Sequence, residues 1–302
     1  MGPTASGKTS LAIELVQQAP LEIISVDSAQ VYRGLDIGSG KPTADILKKA
    51  PHRLIDVRDP TEAYSAAEFR DDVLVEIDDV QGNGNIPLLV GGTMLYFKAL
   101  RDGLATMPAA DENIRNKILD QADNEGWQAV HNRLAQVDPE SAARIHPNDP
   151  QRLQRALEVY ELTGKPMTAI HNEGNSQEDL PFNLHFMAIY PSQRAILHEK
   201  IALRFKQMLE EGFVEEVKKL YDRGDLLPSL PAIRSVGYRQ IWDFIEGSYD
   251  HNFMQEKVLA ATRQLAKRQL TWLRSWPDLQ ILDSEMSNNV EHCLKMILPA
   301  PI

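Results

Sequence analysis

The sequence predicts an α/β protein whose parallel sheet is covered by helices. Short apolar runs that suit buried strands alternate with amphipathic helical segments through the first hundred residues. Two of these runs lead into turn residues: "IISVD" ends in an aspartate, and "LLVGGT" contains a glycine pair before its final threonine. Repeated strand–helix alternation favours parallel pairing, because parallel neighbours require a crossover connection.

The first two strands and the helices beside them follow in chain order. Residues 8–18 suit a helix that Pro20 stops, and "LEIISVD" suits a buried strand that ends at Asp27. "HRLIDV" is a second strand candidate. Residues 65–80 predict a helix because apolar side chains recur on one face. These side chains are Phe69, Val73, Ile77 and Val80.

The third strand candidate is "IPLLVGGT", and it leads into another helix. The strand signal then disappears over residues 111–180, where Asp149 and Pro150 mark a clear helix start. "LHFMAIY" resumes the strand pattern, and the remainder is mostly helical until "LQILD". We therefore expect a core formed by residues 1–110 and 181–302, with a helical C-terminal region, and a helical insertion domain at 111–180.

Composition narrows the class of protein. The 302 residues are 43% hydrophobic and 25% charged, as in an ordinary globular protein. A single cysteine excludes a disulfide framework, and no apolar run approaches a membrane span or a secretion signal. We expect a cytoplasmic protein that does not engage membranes. The net charge of −11 argues against nucleic-acid binding by the whole surface, but it leaves room for a local basic patch.

The N-terminal octapeptide "GPTASGKT" matches G-x-x-x-x-G-K-[ST], a loop that wraps the oxygens of phosphate groups. Its glycines allow tight turns that point N–H groups at an anion, and the following helix adds its dipole. Lys8 would neutralise phosphate charge, and the Thr9 hydroxyl would bind Mg²⁺. The alternative is a chance match, which the following helix argues against. This phosphate loop comprises Gly2, Pro3, Thr4, Ala5, Ser6, Gly7, Lys8 and Thr9.

Only Met1 precedes the phosphate loop, although a β-strand normally feeds such a loop. Losing about five buried apolar side chains would cost on the order of 10 kcal/mol, comparable to the whole stability of a domain. We therefore expect that the sequence starts late, at an internal Met, and that the native chain carries a strand before Gly2.

Two side chains near the loop are candidate catalytic groups. Asp27 ends a strand at the carboxyl edge of the sheet, where it could hold Mg²⁺ through water or act as a base. Thr93 follows the third strand and is expected at the same edge. The structural alternatives are a turn or N-cap aspartate and an ordinary N-cap threonine.

Basic side chains predict a phosphate-backbone surface. Residues 257–276 contain five Lys or Arg and no acid, and helical periodicity separates these cations from an apolar arc. The alternative is a plain surface helix. Two smaller clusters agree, one in the first turns after Asp149, where the helix dipole disfavours cations, and one around Gly237. The cations are Arg152, Arg155, Arg234, Arg239, Arg263, Lys267, Arg268 and Arg274.

Six motifs occur in order between Gly2 and Arg274. They are "GPTASGKT", "ISVDSAQVYRGLDIGSGKPT", "LLVGGTMLY", "DPQRLQRALEVYELTGKP", "IRSVGYRQIW" and "ATRQLAKRQLTWLR". In this combination the chain resembles the bacterial tRNA dimethylallyltransferases, also called tRNA isopentenyltransferases. The resemblance implies transfer of a dimethylallyl group from dimethylallyl diphosphate to N6 of the tRNA adenosine immediately 3′ of the anticodon, adenosine-37. Family members carry a strand before the loop, and eukaryotic relatives add a zinc finger for which this chain lacks the cysteines.

The resemblance also implies roles for individual residues. The phosphate loop would grip the diphosphate, with Thr9 on Mg²⁺, and Lys8 would stabilise the leaving group. Asp27 would take the proton of the adenine amino group, and Thr93 would hydrogen-bond and aim Asp27. A monomer that binds the anticodon stem-loop is expected. The tRNA contacts would be Asp27, Ser28, Ala29, Gln30, Thr93, Arg115, Gln151, Arg152, Leu153, Gln154, Arg155, Arg234, Gly237, Tyr238, Arg239, Arg263, Lys267, Arg268 and Arg274.

Two other functions share part of this pattern. A small-molecule kinase or ATPase would use Lys8, Thr9 and Asp27, but it leaves the basic segment 257–276 without a purpose. A non-catalytic RNA-binding module would explain the basic segment but not the phosphate loop.

Overall fold

The computed structural model describes residues 1–173 and 180–298. The chain divides into two compact units, one formed by Met1–Arg101 with Phe182–Ile302 and the other by Asp102–Pro181. The helices of the first unit are α1 (Lys8–Val16), α2 (Ala44–Lys49), α3 (Ala66–Gly82), α4 (Met94–Asp102), α10 (Arg194–Glu210), α11 (Phe213–Tyr221), α12 (Tyr238–Ile245), α13 (His251–Arg274) and α14 (Asn289–Ile297). Its strands are β1 (Leu21–Val26), β2 (His52–Arg53), β3 (Ile86–Gly91), β4 (Met187–Tyr190) and β5 (Gln280–Asp283).

The predicted parallel sheet is present and is flanked by helices. Its strand order is β2-β1-β3, and β1 pairs in parallel with β3 from Leu21↔Ile86 to Val26↔Gly91. The strands β4 and β5 form a second parallel pair, in register from Met187↔Gln280. The carboxyl ends of β1 and β3 therefore meet at one edge, which places the turns after Val26 and Gly91 side by side.

A cavity of about 740 Å³ lies between β3 and β4. Apolar side chains of both strands and of α1 line it, and the side chains of β3 are half-exposed for this reason. The Ile189 N–H donates to the Met1 carbonyl at 3.0 Å, so the phosphate loop starts at the β4 side of the cavity. The expected strand before Gly2 stays a prediction.

The helix predicted for 65–80 is confirmed as α3, and the chemistry of its start explains why. Ser65 accepts a hydrogen bond from the Glu68 N–H, and the Glu68 carboxylate accepts one from the Ser65 N–H, which satisfies two otherwise free donors. The side chains of α3 that are buried are the four predicted ones, Phe69, Val73, Ile77 and Val80.

The strand predicted from "HRLIDV" is much shorter than expected. Only His52 and Arg53 pair with β1, because Leu54 and Asp56 have φ angles of +58° and +56°. A left-handed backbone cannot continue a strand, so the chain turns away from the sheet directly after Arg53.

The second unit is helical in its described part. Its helices are α5 (Glu112–Glu125), α6 (Trp127–Val137), α7 (Pro139–Arg144), α8 (Pro150–Thr163) and α9 (Met167–Glu173). Their apolar faces meet in one core that includes Ile118, Val130, Leu134, Leu153 and Leu157. The predicted start of α8 is confirmed, since Asp149 caps it and Pro150 is its first residue. The predicted insertion also includes residues 174–179, which lie outside the described residues.

No helix in the described ranges 1–173 and 180–298 combines the length and the apolar character that crossing a bilayer requires.

Candidate active site

The phosphate loop has the backbone shape that anion binding requires. Gly7 adopts a left-handed conformation with φ +89°, which turns the chain into α1 at Lys8. Gly2 is enclosed, because a Cβ at this position would lie 2.6 Å from the Ile189 carbonyl oxygen and 2.7 Å from Ser6 Oγ. Ser6 Oγ is buried and, among the described residues, has no hydrogen-bond partner. An unpartnered hydroxyl inside this loop is a ready donor for a phosphate oxygen.

Lys8 is the first residue of α1. Its Nζ donates to the Pro3 carbonyl at 3.3 Å, inside the same loop. Burial lowers the pKa of Lys8 to about 8, while the nearby Asp27 carboxylate partly offsets this effect. The structure therefore brings Lys8 and Asp27 into electrostatic contact. A bound anion would restore the stability of the ammonium form.

Asp27 follows β1, at the edge where the strand gives way to a turn. Its Oδ1 accepts hydrogen bonds from the backbone N–H groups of Ala29, at 2.9 Å, and Gln30, at 3.4 Å. These bonds fix the side chain as in an Asx turn. Within the described parts of the chain, Oδ2 has no hydrogen-bond partner, so one carboxylate oxygen is held in place while the other is available.

Thr93 reaches the same edge but contacts Ser28 rather than Asp27. Its Oγ1 accepts from the Ser28 N–H at 3.0 Å and lies 3.3 Å from Ser28 Oγ. Its backbone N–H donates to the Val26 carbonyl at 3.2 Å. The expectation that Thr93 aims Asp27 through a direct bond is thus corrected: Thr93 anchors the residues on either side of Asp27.

Gln30 lies beside these groups with its amide already engaged. Its Oε1 accepts from the Ser25 hydroxyl at 3.0 Å, and its Nε2 donates to the Gly40 carbonyl at 3.2 Å. The side chain is therefore oriented by the protein. One amide hydrogen remains to meet a ligand.

Arg204 is a site residue that the sequence reasoning missed. It lies on α10, and its Nη2 approaches the Ser39 carbonyl at 3.5 Å and the space above Gly40. Burial lowers the pKa of Arg204, whereas Asp27 acts in the opposite direction. Among the described residues no carboxylate forms an ion pair with it. A signal existed: helical periodicity puts Arg204 on the same face as Leu197, Ile201 and Phe205, which are buried.

A half-buried carboxylate, that of Glu216, holds the loop formed by residues 36–38. Glu216 accepts from the backbone N–H groups of Asp36, Ile37 and Gly38 at 2.7–3.1 Å. Tyr238 also donates its hydroxyl proton to Glu216, at 2.6 Å, and accepts from the Ser39 N–H at 3.1 Å. Tyr238 is completely buried, and burial raises its pKa well above the usual value. Its side chain thus supports this loop and faces no surface ligand, contrary to the expected tRNA contact.

The predicted cations of the second unit have acidic partners. Arg115 and Arg155 both form ion pairs with Glu158, which is fully buried, and Arg152 lies 3.5 Å from Asp149. Burial raises the pKa of Glu158, and the hydrogen bonds from its two arginines outweigh that effect and leave it lowered. Leu153 packs in the core of the unit, so its side chain cannot face RNA. Of the other residues expected here, Gln151 is exposed, and Gln154 donates to the Arg115 carbonyl at 3.2 Å.

The cationic face of α13 is exposed as predicted. None of the described acids forms an ion pair with its four cations. A shallow groove of about 350 Å³ runs between Lys267, Arg268 and Trp272. The four cations are Arg263, Lys267, Arg268 and Arg274, and Arg234 and Arg239 are also exposed, near the start of α12.

A metal site made of protein side chains alone is not present in the described residues, where no group of three His, Cys, Asp or Glu side chains converges. The oxygen donors at the loop are the half-buried Thr9 hydroxyl and the Asp27 carboxylate. This small donor set suits Mg²⁺, which proteins bind through one or two ligands together with substrate phosphates.

Comparisons with known proteins indicate one family of enzymes. The family described as IPP transferase matches residues 30–276. A tRNA dimethylallyltransferase from Thioalkalivibrio sulfidiphilus is 60% identical over 285 residues, which cover 94% of this chain and 89% of that protein. The crystal structure of a full-length tRNA isopentenylpyrophosphate transferase from Bacillus halodurans has a TM-score of 0.71 at 36% identity, covering 98% of this chain and 93% of its own.

Two further solved structures resemble the chain. A tRNA Δ2-isopentenylpyrophosphate transferase from Staphylococcus epidermidis has a TM-score of 0.69 at 33% identity, covering 98% of this chain and 95% of its own. A eukaryotic dimethylallyltransferase acting on tRNA has a TM-score of 0.79 at 27% identity, covering 97% of this chain and 76% of its own.

Proposed function

We propose that this chain, which belongs to the IPP transferase family, transfers a dimethylallyl group from dimethylallyl diphosphate to N6 of adenosine-37 in tRNA and releases diphosphate. The observation that carries the proposal is the meeting of two half-buried cations, Lys8 and Arg204, with the acid Asp27 beside the phosphate loop. A kinase, the alternative, is not favoured, because the family and the curated relative are prenyl transferases.

The leaving group is the first requirement of this reaction. Cleavage of the allylic C–O bond leaves its electron pair on the diphosphate oxygen, so charge accumulates there. Lys8, Arg204, Ser6 Oγ and the N–H groups at the start of α1 would stabilise that charge, which is the electrostatic effect that dominates many enzymes. A divalent metal, taken to be Mg²⁺ and held by Thr9, would neutralise further diphosphate charge when bound.

The nucleophile is the second requirement. The adenine amino group attacks weakly because its lone pair is delocalised into the ring. As the N–C bond forms, the nitrogen must lose a proton, and Asp27 Oδ2 would accept it. The bonds from Ala29 and Gln30 to Oδ1 hold this carboxylate in place. The Gln30 amide is oriented to meet the adenine edge.

The RNA is the third requirement. The target base must leave its stack to reach Asp27, and single-stranded loops permit this at low cost. The exposed cations of α13, with Arg234 and Arg239, would hold the phosphates of the anticodon stem-loop. We also propose that the enzyme acts as a monomer in the cytoplasm, the compartment of its tRNA substrate.

Prenyl transfer can be tested directly. The protein is incubated with unmodified tRNA, Mg²⁺ and labelled dimethylallyl diphosphate, and with ATP as a competing candidate substrate. Label should enter the tRNA at adenosine-37 and should not enter a tRNA that carries another base there. ATP turnover without label transfer would instead establish a kinase or ATPase.

The pH dependence should report Lys8. Because the pKa of Lys8 is lowered to about 8, its ammonium form is present below that pH and is lost as the pH rises through it. The kcat/KM for dimethylallyl diphosphate should therefore fall above about pH 8. In Lys8→Arg the guanidinium stays charged, so the alkaline fall should move out of the measured range. An unchanged alkaline limb in that variant would assign the titration to another group.

Salt dependence should report α13. The logarithm of the tRNA association constant should fall with the logarithm of the salt concentration. Changing both Arg263 and Lys267 to Ala should make this fall less steep by about two, roughly one per lost phosphate contact. The control is Lys295→Ala on α14, an exposed lysine paired with Glu291. Filter binding over a range of NaCl concentrations measures both slopes. Equal slopes in the double variant and the control would remove α13 from the RNA surface.

A further inference from the structure

Gln269 lies on the cationic helix α13 but points into the protein. Its chain neighbours Lys267 and Arg268 are exposed, whereas Gln269 is only 8% exposed. A buried amide is costly unless both of its ends are hydrogen-bonded. Gln269 is bonded at both ends: Oε1 accepts from the Thr4 N–H at 2.9 Å, and Nε2 donates to the Gly92 carbonyl at 2.9 Å.

These two partners belong to the two halves of the site. Thr4 is inside the phosphate loop, and Gly92 is in the turn after β3. The next residue, Thr93, bonds to the Ser28 N–H and to the Val26 carbonyl, the residues on either side of Asp27. A single side chain therefore ties the phosphate loop to the turn that anchors the acid.

The backbone around the Gln269 amide is tightly packed. A Cβ at Gly92 would lie 2.4 Å from Gln269 Nε2 and 3.2 Å from the Gly2 carbonyl oxygen. Likewise, a Cβ at Gly91 would lie 1.9 Å from the Val26 carbonyl oxygen. The turn can therefore approach both the phosphate loop and β1 only because it is built from glycines. A displacement of Gln269 would be transmitted to both neighbours.

We propose that Gln269 is a positioning residue, which sets the distance between the phosphate loop and the Asp27 edge and links both to the RNA-binding helix. The inference rests on the proposed prenyl transfer. Both ends of the Gln269 amide are bonded to the protein, so its effect would arise from geometry. Placing the diphosphate carbon within reach of N6 requires both halves of the site to be in register, and a misplacement of about 1 Å can cost about 10²-fold in rate.

The first test removes both bonds while keeping the volume. Gln269→Met should lower kcat about 10–100-fold, and it should leave the tRNA dissociation constant and its salt slope unchanged, because the exposed cations are intact. The control is Leu273→Met, a buried change one turn further along the same helix, which should keep kcat within threefold. Thermal unfolding by circular dichroism verifies that both variants are folded.

The second test makes the donor depend on pH. In Gln269→Glu the introduced carboxyl group can donate to the Gly92 carbonyl only when it is protonated, and burial raises the pKa of such a group. The kcat ratio of this variant to the wild type should rise at least tenfold between pH 8.5 and pH 5.5. The same ratio for Gln269→Met should stay flat. Because ionisation of a buried carboxyl group can also destabilise the fold, circular dichroism at both pH values verifies that Gln269→Glu stays folded.

Failure of the proposed prenyl transfer and failure of the proposed role of Gln269 give different results. A wild-type protein that transfers no label to tRNA would contradict the proposed function. A wild-type protein that does transfer label would overturn the role of Gln269 in either of two cases: unchanged kcat in Gln269→Met, or a Gln269→Glu ratio that does not vary with pH. If Gln269→Met fails to fold, the pH titration of Gln269→Glu decides alone.

Discussion

Replacing Asp27 by Asn is expected to lower kcat by about 10²–10⁴-fold, the usual contribution of a general base. Asn keeps an Oδ1 that can accept from the Ala29 and Gln30 N–H groups, so the turn after β1 should retain its shape. Only the proton acceptor is lost. Single-turnover label transfer to tRNA, with tRNA and diphosphate affinities measured separately, distinguishes this loss from a loss of binding.

The matched control is Asp78→Asn, an exposed aspartate on α3. It removes the same charge away from the site, and its kcat should stay within twofold of the wild type. If Asp27→Asn retained more than a tenth of the wild-type kcat, another group would have to accept the N6 proton.

Replacing Lys8 by Met is expected to lower kcat about 10²–10³-fold and to raise the KM for dimethylallyl diphosphate. Lys8 belongs to the phosphate loop and is the only Lys or Arg of α1. No other basic side chain on this helix could neutralise the charge that develops on the leaving oxygen. Because the attraction strengthens as the C–O bond breaks, the loss should affect kcat as well as KM. The KM for tRNA should change little.

The control for this variant is Lys48→Met on α2, an exposed lysine paired with Asp45. It should leave both substrate parameters unchanged. Steady-state kinetics with each substrate varied in turn provide the comparison. A Lys8→Met enzyme with a raised KM but a normal kcat would mean that Lys8 binds the ground state and transition state equally.

The parts of the site that depend on a short stretch of chain could be predicted from the sequence. The phosphate loop, the start of α1 and the position of Asp27 after β1 are local patterns, and the structure places them at one edge. For Arg204 and Gln269, helical periodicity indicates the inward-facing side of the helix, but it does not indicate the partners that bring them to the site. Gln269 meets Thr4 across a separation of 265 residues, and Arg204 meets Ser39 across 165. No short pattern in the sequence records such pairings.

Local sequence patterns also predict ligand contacts for residues whose side chains have partners within the protein. Cations in the first turns of α8 predict an anionic ligand, because the helix dipole disfavours cations there. The structure offers a second reason, since Arg155 and Arg115 neutralise the buried Glu158. The sequence groups Tyr238 with its basic neighbours, yet helical rotation turns its side chain inward onto Glu216. Spacing identifies a cluster, but burial decides which members face a ligand.

Elements of the fold that depend on neighbouring residues could also be predicted from the sequence. The apolar face of α3 and the cap of α8 depend on residues within two turns, and both were predictable. The length of β2 was not, because it ends where Leu54 adopts a left-handed backbone that its side chain does not favour.

The long separations within the site have a consequence for biosynthesis. The phosphate loop leaves the ribosome well before α13, because Gln269, its partner on that helix, is made 265 residues after Thr4. At the usual 5–20 residues per second, translation of that interval takes roughly 15–50 s. Throughout that time the nascent loop lacks the side chain that holds it. Competence should thus appear abruptly, only after α13 has emerged.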